Sequence, residues 1–426
     1  MKILKNTTLG YYMPSFFFLN VATEDDLTNL DLLSDDDKST LSHEYVHFLQ
    51  DITTIYGLCN ICAMVDMQKA INEQILTSPE HTFKVPVIID PSSPTSVNEE
   101  LFNHYVGDVD LNLEDIQFIN NIRLVENGNI LGFEKVPSII VEYTETNGTN
   151  GMFNFGSACV METMAYMIED RLYDCAQPPF FPYKIAKEVC RYIYPALAND
   201  DLNVILLCDI AMNSTHPGKF FYDFITVLEG KNFVPNAYSD LYAEFEMYTF
   251  TDSEGQQSDI YQTYKKYADL AKRQLNDYFT DHTFGEVRKW FGKIIDLGLD
   301  FRIKNISFWV DVLKYPNKQE RISAFNLLTN VFGFPLMTNN HEHYFFHHPE
   351  IKTDKIVALR AIGEINELTA YGQQGCGMKT FCSQPVNITS VLCDEPWKQV
   401  KELQHCPFAQ IWGMWGLGTK DPDFTL

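Results

Sequence analysis

The chain has 426 residues, 45% hydrophobic and 14% aromatic, which supports a large packed core and excludes a disordered or low-complexity protein. Its formal charge of −25 excludes a binder that tracks nucleic-acid phosphates and speaks against an anionic membrane surface as partner. No apolar stretch reaches the roughly 18 residues that cross a bilayer, and ten cysteines without a recognisable secretion signal suit reduced thiols, so a cytoplasmic protein is expected.

In chain order, Pro14 to Ala22 reads as a strand, followed by an acidic loop. A helix then starts near Ser39, Thr40 and Ser42, good N-cap residues after Asp35-Asp36-Asp37, and its apolar spacing continues to about Ile75. Cys59 and Cys62 fall inside it, where a CxxC pair reads as buried packing residues. Residues 82–156 change character. Val85 to Ile89 is strand-like, Asn127-Gly128 between apolar runs predicts a hairpin turn, and Ser138 to Tyr143 is another strand. From Phe153 to about Tyr371 the pattern is helical, with segments at Tyr183–Ala198, Leu202–Asn213, Tyr238–Tyr248, Ser258–Tyr278 and Lys355–Leu368. The Gly-Gln-Gln-Gly-Cys-Gly stretch at 372–377 opens a Cys-rich tail. The fold expected is α+β and predominantly helical, with a β-rich insert at about 82–156 and a long helical C-terminal half.

One motif carries chemistry: His43-Glu44-Tyr45-Val46-His47, an H-E-x-x-H box. Positions i and i+4 share one helix face, so both imidazoles can bind one metal ion, and the Glu between them can act as general base on a metal-bound water. A catalytic zinc of this kind needs a third protein ligand. Glu162 is the choice, because Ala158, Glu162, Ala165 and Glu169 share a face of an otherwise apolar helix. Glu73 is a rival, but on one unbroken helix it would lie about 39 Å from His47, and only a break near Gly57 would bring it back. His81 and His104 lack a supporting pattern. Asp51 and Glu169 are candidates to accept the outer N–H of a ligand histidine, and Tyr166 and His216 to stabilise an oxyanion.

On His43, Glu44 and His47 followed by Glu162 with Ala165, the chain resembles the gluzincin branch of the zincin metallopeptidases. The metzincin extension is absent, since Gln50 and Thr53 stand where Gly and His would be. The resemblance implies a zinc peptidase, with metal on His43, His47 and Glu162, water activated by Glu44, and a protein or peptide substrate along a strand edge above the box helix. It divides the chain into a zincin-like catalytic region at 1–178, a helical region at 179–371 completing the cleft, and the tail at 372–426. Rival classes are a non-haem iron oxygenase using the same box and a catalytically silent, metal-stabilised scaffold. A cytosolic protease needs restraint, for which a regulatory protein partner is one route, though no residue identifies it. In the tail, Cys376, Cys382, Cys393 and Cys406, with His405 nearby, are a candidate set for a second, structural zinc, against a reading as free buried thiols. The histidine-rich run at 341–348 reads as a solvated loop.

Overall fold

The computed structural model describes residues 9–425 apart from 92, 110, 112, 131–132, 176, 252–254, 342, 349, 352–354, 380–381, 383–390 and 402–405. Near the N-terminus, the strand expected across Pro14–Ala22 is a hairpin. β1 (Gly10–Met13) and β2 (Phe18–Val21) pair antiparallel, and Ser15 and Phe17 take positive φ in the turn between them. The Ser15 N–H and the Tyr12 hydroxyl both donate to the Asp51 carboxylate, tying this turn to the helix that follows.

That helix, α1 (Asp35–Thr53), starts earlier than the hydroxyl residues suggested. Ser34 caps it by accepting from the Asp37 N–H, and Asp35, Asp36 and Asp37 sit in the first turn, where the helix dipole favours negative charge. Ser39, Thr40 and Ser42 are buried along its length. It also ends earlier than expected. At Thr54 the chain bends by 82° into α2 (Ile55–Thr77), with the Thr54 hydroxyl donating to the Gln50 carbonyl and accepting from the Gly57 N–H. Glycine is required at 57, because a Cβ there would lie 2.4 Å from the Asp51 Cα and the Gln50 carbonyl oxygen. Cys59 and Cys62 lie within α2, and burial raises both thiol pKa values, that of Cys62 to about 12.

The next segment runs β3 (Thr82–Lys84), α3 (Pro94–Val106), β4 (Ile116–Ile130), β5 (Phe133–Glu145) and β6 (Asn150–Phe155). Val85 to Ile89 lies outside the strand. The β4–β5 hairpin forms, but Gly128 pairs with Lys135 inside the ladder and the chain reverses after Ile130. The run of helices begins with α4 (Ser157–Leu172), α5 (Ile185–Ile193), α6 (Pro195–Ala198), α7 (Asp201–Ala211), α8 (Pro217–Gly230) and α9 (Ser239–Glu246). After the short strands β7 (Phe250–Thr251) and β8 (Gln257–Ser258) come α10 (Ile260–Asn276), α11 (Gly285–Lys304), α12 (Phe308–Leu313) and α13 (Lys318–Phe332). The histidine-rich run contributes a strand: β9 (Phe334–Thr338) pairs with β10 (Tyr344–His347), and β2 joins β9 in parallel, giving a sheet ordered β1-β2-β9-β10.

α14 (Ala358–Tyr371) ends at Gly372 in the left-handed region. The tail returns to the body through α15 (Pro407–Met414) and β11 (Asp421–Asp423), which pairs with β3. One hydrophobic cluster runs from Tyr12 to Leu417, including Phe408 and Trp412. The architecture is therefore α+β and mostly helical. No single helix among the described residues is long and apolar enough to cross a membrane.

Candidate metal centre

α1 and α4 pack side by side and bring together the three predicted metal ligands. His43 and His47, one turn apart, stack edge to face at 5.0 Å between ring centroids. The His43 Nε2 lies 3.2 Å from the Glu162 Oε2, and the His47 Nε2 lies 3.4 Å from its Oε1. One ligand atom from each of the three lies within 4.8 Å of the others, and this is the one such His/Cys/Asp/Glu group among the described residues.

Both outer ring nitrogens are also engaged. Glu169 accepts from the His43 Nδ1–H at 2.9 Å, and its other oxygen accepts from the Ser39 hydroxyl at 2.7 Å. The Gln50 Oε1 accepts from the His47 Nδ1–H at 2.8 Å, while the Gln50 amide N–H donates to the Met161 carbonyl at 3.2 Å. Each imidazole thus has an acceptor at both ends. A neutral ring carries one N–H, so the inner pair of nitrogens demands positive charge between itself and Glu162, either as extra protons or as a cation. The pKa shifts express the same demand. Burial lowers the His43 pKa, but hydrogen bonds to Glu162 and Glu169 outweigh it and leave it well above the ordinary imidazole value. Burial would raise Glu162, yet His47 and His43 hold it far below the usual carboxylate range. Two neutral imidazoles turned inward by outer acceptors, facing one carboxylate, fit a divalent ion.

Glu44 lies beside this cluster, buried, and burial raises its pKa over the lowering effect of the two histidines. It lines two clefts that meet at the ligands. One runs past Tyr12, Met161 and Phe102. The other runs past Thr40, Tyr166 and Glu169. Gly10 at the start of β1 borders both, and a Cβ there would come within 2.8 Å of Thr40 and 3.4 Å of Glu44, so glycine lets the strand lie close on α1.

The remaining predicted residues divide. Glu169 holds His43 as expected, but Asp51 does not reach His47. It is committed to Tyr12 and Ser15, and Gln50, one turn beyond His47, takes its place. Glu73 is exposed on α2, and so is His81. His104 is turned to the Pro137 carbonyl and Ser138. His216 is not an oxyanion candidate: it lines a different cleft, caps α8 through its Nδ1, and donates from Nε2 to the Pro137 carbonyl. Burial pulls its pKa down to about 4. Tyr166 borders the second cleft and bonds Gln177. Tyr183, overlooked in sequence, packs edge-on against His43 at 5.9 Å and lines both clefts. Gln50 had a signal in its i+3 spacing from His47, whereas Tyr183 and Ser39 had none. In the tail, Cys376, Cys382, Cys393 and Cys406 form no disulfide and gather no metal-ligand set among the described residues, and His405 lies outside them. No protein-family profile, curated protein sequence or solved structure matches the chain.

Proposed function

We propose that the chain is a zinc-dependent metallopeptidase with a gluzincin-type ligand set, hydrolysing peptide bonds of a protein or peptide substrate. The observation that carries this reading is the convergence of both Nε2 atoms on Glu162, with Glu44 beside them in a cleft that continues on both sides. A zinc ion held there supplies Lewis-acid polarisation and a water made acidic near neutrality.

The chain's own groups do the rest. Glu44, made a better base by burial, takes the proton of the attacking water and returns it to the leaving amine. Glu169 and Gln50 hold the two imidazoles with their lone pairs inward. β1 is the outermost strand of its sheet among the described residues and borders the cleft, so an extended substrate lying along it would pass the ligands. Two clefts meeting at the ligands favour a substrate that continues on both sides of the scissile bond. The test compares purified wild type with Glu44→Gln. The variant should keep its fold and about one zinc per chain while peptide hydrolysis falls by several orders of magnitude. Undiminished hydrolysis by Glu44→Gln would reject the mechanism, and iron in place of zinc would reject the peptidase class.

A further inference from the structure

The cleft on the Met161 side continues past the ligands as a slot between α3 and α4. On α4, Ala158 lines it and precedes Glu162 by one turn, about 6 Å along the helix axis. A group beside Ala158 is therefore within one side-chain length of a bond held at the metal ligands. On α3, Phe102 and Val106 line the slot, followed by Val109 in the loop. Phe102 stacks on Tyr56 of α2 at 5.9 Å with an interplanar angle of 7°. Val106, Val109 and Ala158 form a small apolar cluster of their own, with Phe102 against it, apart from the cluster that runs through the chain. Gly156 lets the two helices converge here, since a Cβ at that position would lie 2.3 Å from the Val106 carbonyl oxygen.

The polar groups at this end are turned to one another. The Tyr56 and Ser157 hydroxyls are bonded at 2.5 Å, and the Asn60 side chain also bonds Tyr56. Apart from His43, Glu44, His47 and Glu162, no charged side chain among the described residues lines this cleft. The second cleft differs, with Thr40, Glu169 and Gln177 in its wall. A charged tip entering the slot would lose its water without gaining a partner. An apolar side chain would cover apolar surface that water otherwise meets. Ala158 carries a single methyl group, and any larger side chain there would occupy the slot.

We infer that the slot is a specificity pocket for a bulky apolar side chain of the substrate, such as Leu, Met or Phe, next to the scissile bond, and that Ala158 sets its depth. The inference rests on the peptidase reading and names the side chain which that site selects.

The experiment gives the zinc-loaded full chain matched peptides with Leu, Ala or Asp beside the scissile bond, placed on either side in turn. On one side wild type should favour Leu over Ala by at least about tenfold in kcat/KM, the scale of missing methylenes in an apolar pocket, and should use Asp least. Equal use of all three on both sides overturns the pocket whatever the variants do. Ala158→Leu, which fills the slot, should cut the Leu-to-Ala ratio by about tenfold. Phe102→Ala, which widens it from α3, should move the preference from Leu toward Trp. An unchanged Leu-to-Ala ratio in folded Ala158→Leu overturns the assignment; if that variant fails to fold, an unchanged Leu-to-Trp ratio in Phe102→Ala does so. Hydroxamates with isobutyl or methyl side chains, titrated calorimetrically into the zinc-loaded protein, separate the two readings. If no peptide is cleaved but the isobutyl compound binds about tenfold tighter, and Ala158→Leu removes the difference, the peptidase reading falls and the pocket stands. If peptides are cleaved without side-chain discrimination, the peptidase reading stands and the pocket falls.

Discussion

At the scale of single residues, the two ligand histidines are steadied differently. His43 leans on a carboxylate, Glu169, and His47 on a neutral amide, Gln50, whose orientation is set by the Met161 carbonyl next to Glu162. Gln50 therefore links the two helices that carry the candidate ligands. Gln50→Ala should weaken metal affinity by about 10- to 100-fold, read by competition with a chelator. Glu162→Ala should lose the ion, and Glu73→Ala should retain it; the reverse pattern would overturn the ligand assignment. Asp51 carries a pH prediction. Burial raises its pKa to about 7 despite donors from Ser15 and Tyr12. In the unfolded chain it titrates near the ordinary Asp value, so between about pH 4 and 7 the folded state binds more protons. Stability tied to this group is complete below pH 4 and declines as pH rises to 7, by roughly 4 kcal/mol at most. Asp51→Asn keeps an acceptor for Tyr12 and Ser15, so denaturant melts at pH 5 and pH 8 should differ less in the variant than in wild type.

At the scale of elements, the C-terminal end of α1 is buried, and its last carbonyls need donors that water cannot provide. Tyr264 donates to the Ile52 carbonyl at 2.7 Å and the Arg302 Nε to the Thr53 carbonyl at 2.6 Å. The guanidinium is also forked onto Asp209, which accepts from the Tyr242 hydroxyl. Side chains from α10 and α11 thus set where the box helix stops. Arg302→Ala leaves Asp209 as an unpaired buried charge and should cost about 3–5 kcal/mol. Arg302→Met with Asp209→Leu removes both charges and should recover much of that loss. A double variant as unstable as Arg302→Ala would mean that the carbonyl caps matter more than the ion pair. The break after Thr53 was partly legible, since Thr53, Thr54 and Gly57 are poor helix formers, but the apolar spacing continues through it and masked the bend. The cap at Ser34 was likewise visible in principle as a Ser before three acidic residues.

At the scale of the molecule, the C-terminal tail belongs to the core. Trp412 is fully buried and its ring lies 6.1 Å from that of Phe83, while β11 completes a two-stranded sheet with β3. Deleting residues 372–426 should expose this apolar surface and leave a product that binds a hydrophobic dye and lacks a cooperative melt. A truncated chain with a sharp transition would show that the tail is dispensable. Since the tail cysteines form no ligand set among the described residues, Cys393→Ser should leave metal content at about one per chain by elemental analysis.

Local spacing determined the box, its helix and the preference for Glu162, because i, i+4 geometry and the run Ala158, Glu162, Ala165, Glu169 are properties of a single helix. The predominance of helix and the β-rich character of 82–156 were equally local, since periodicity and turn chemistry act over a few residues. The partners of those residues were decided only by tertiary structure. Gln50 replaced Asp51 behind His47 because the β1–β2 turn claims the carboxylate, and His216 left the site because α8 and Pro137 engage both its nitrogens. Tyr183 and Phe102 entered the cleft because an 82° bend and the return of the chain to α4 bring distant segments together. Such contacts form across large sequence separations, where no local pattern encodes them, and they exist only once the core that spans the chain has formed.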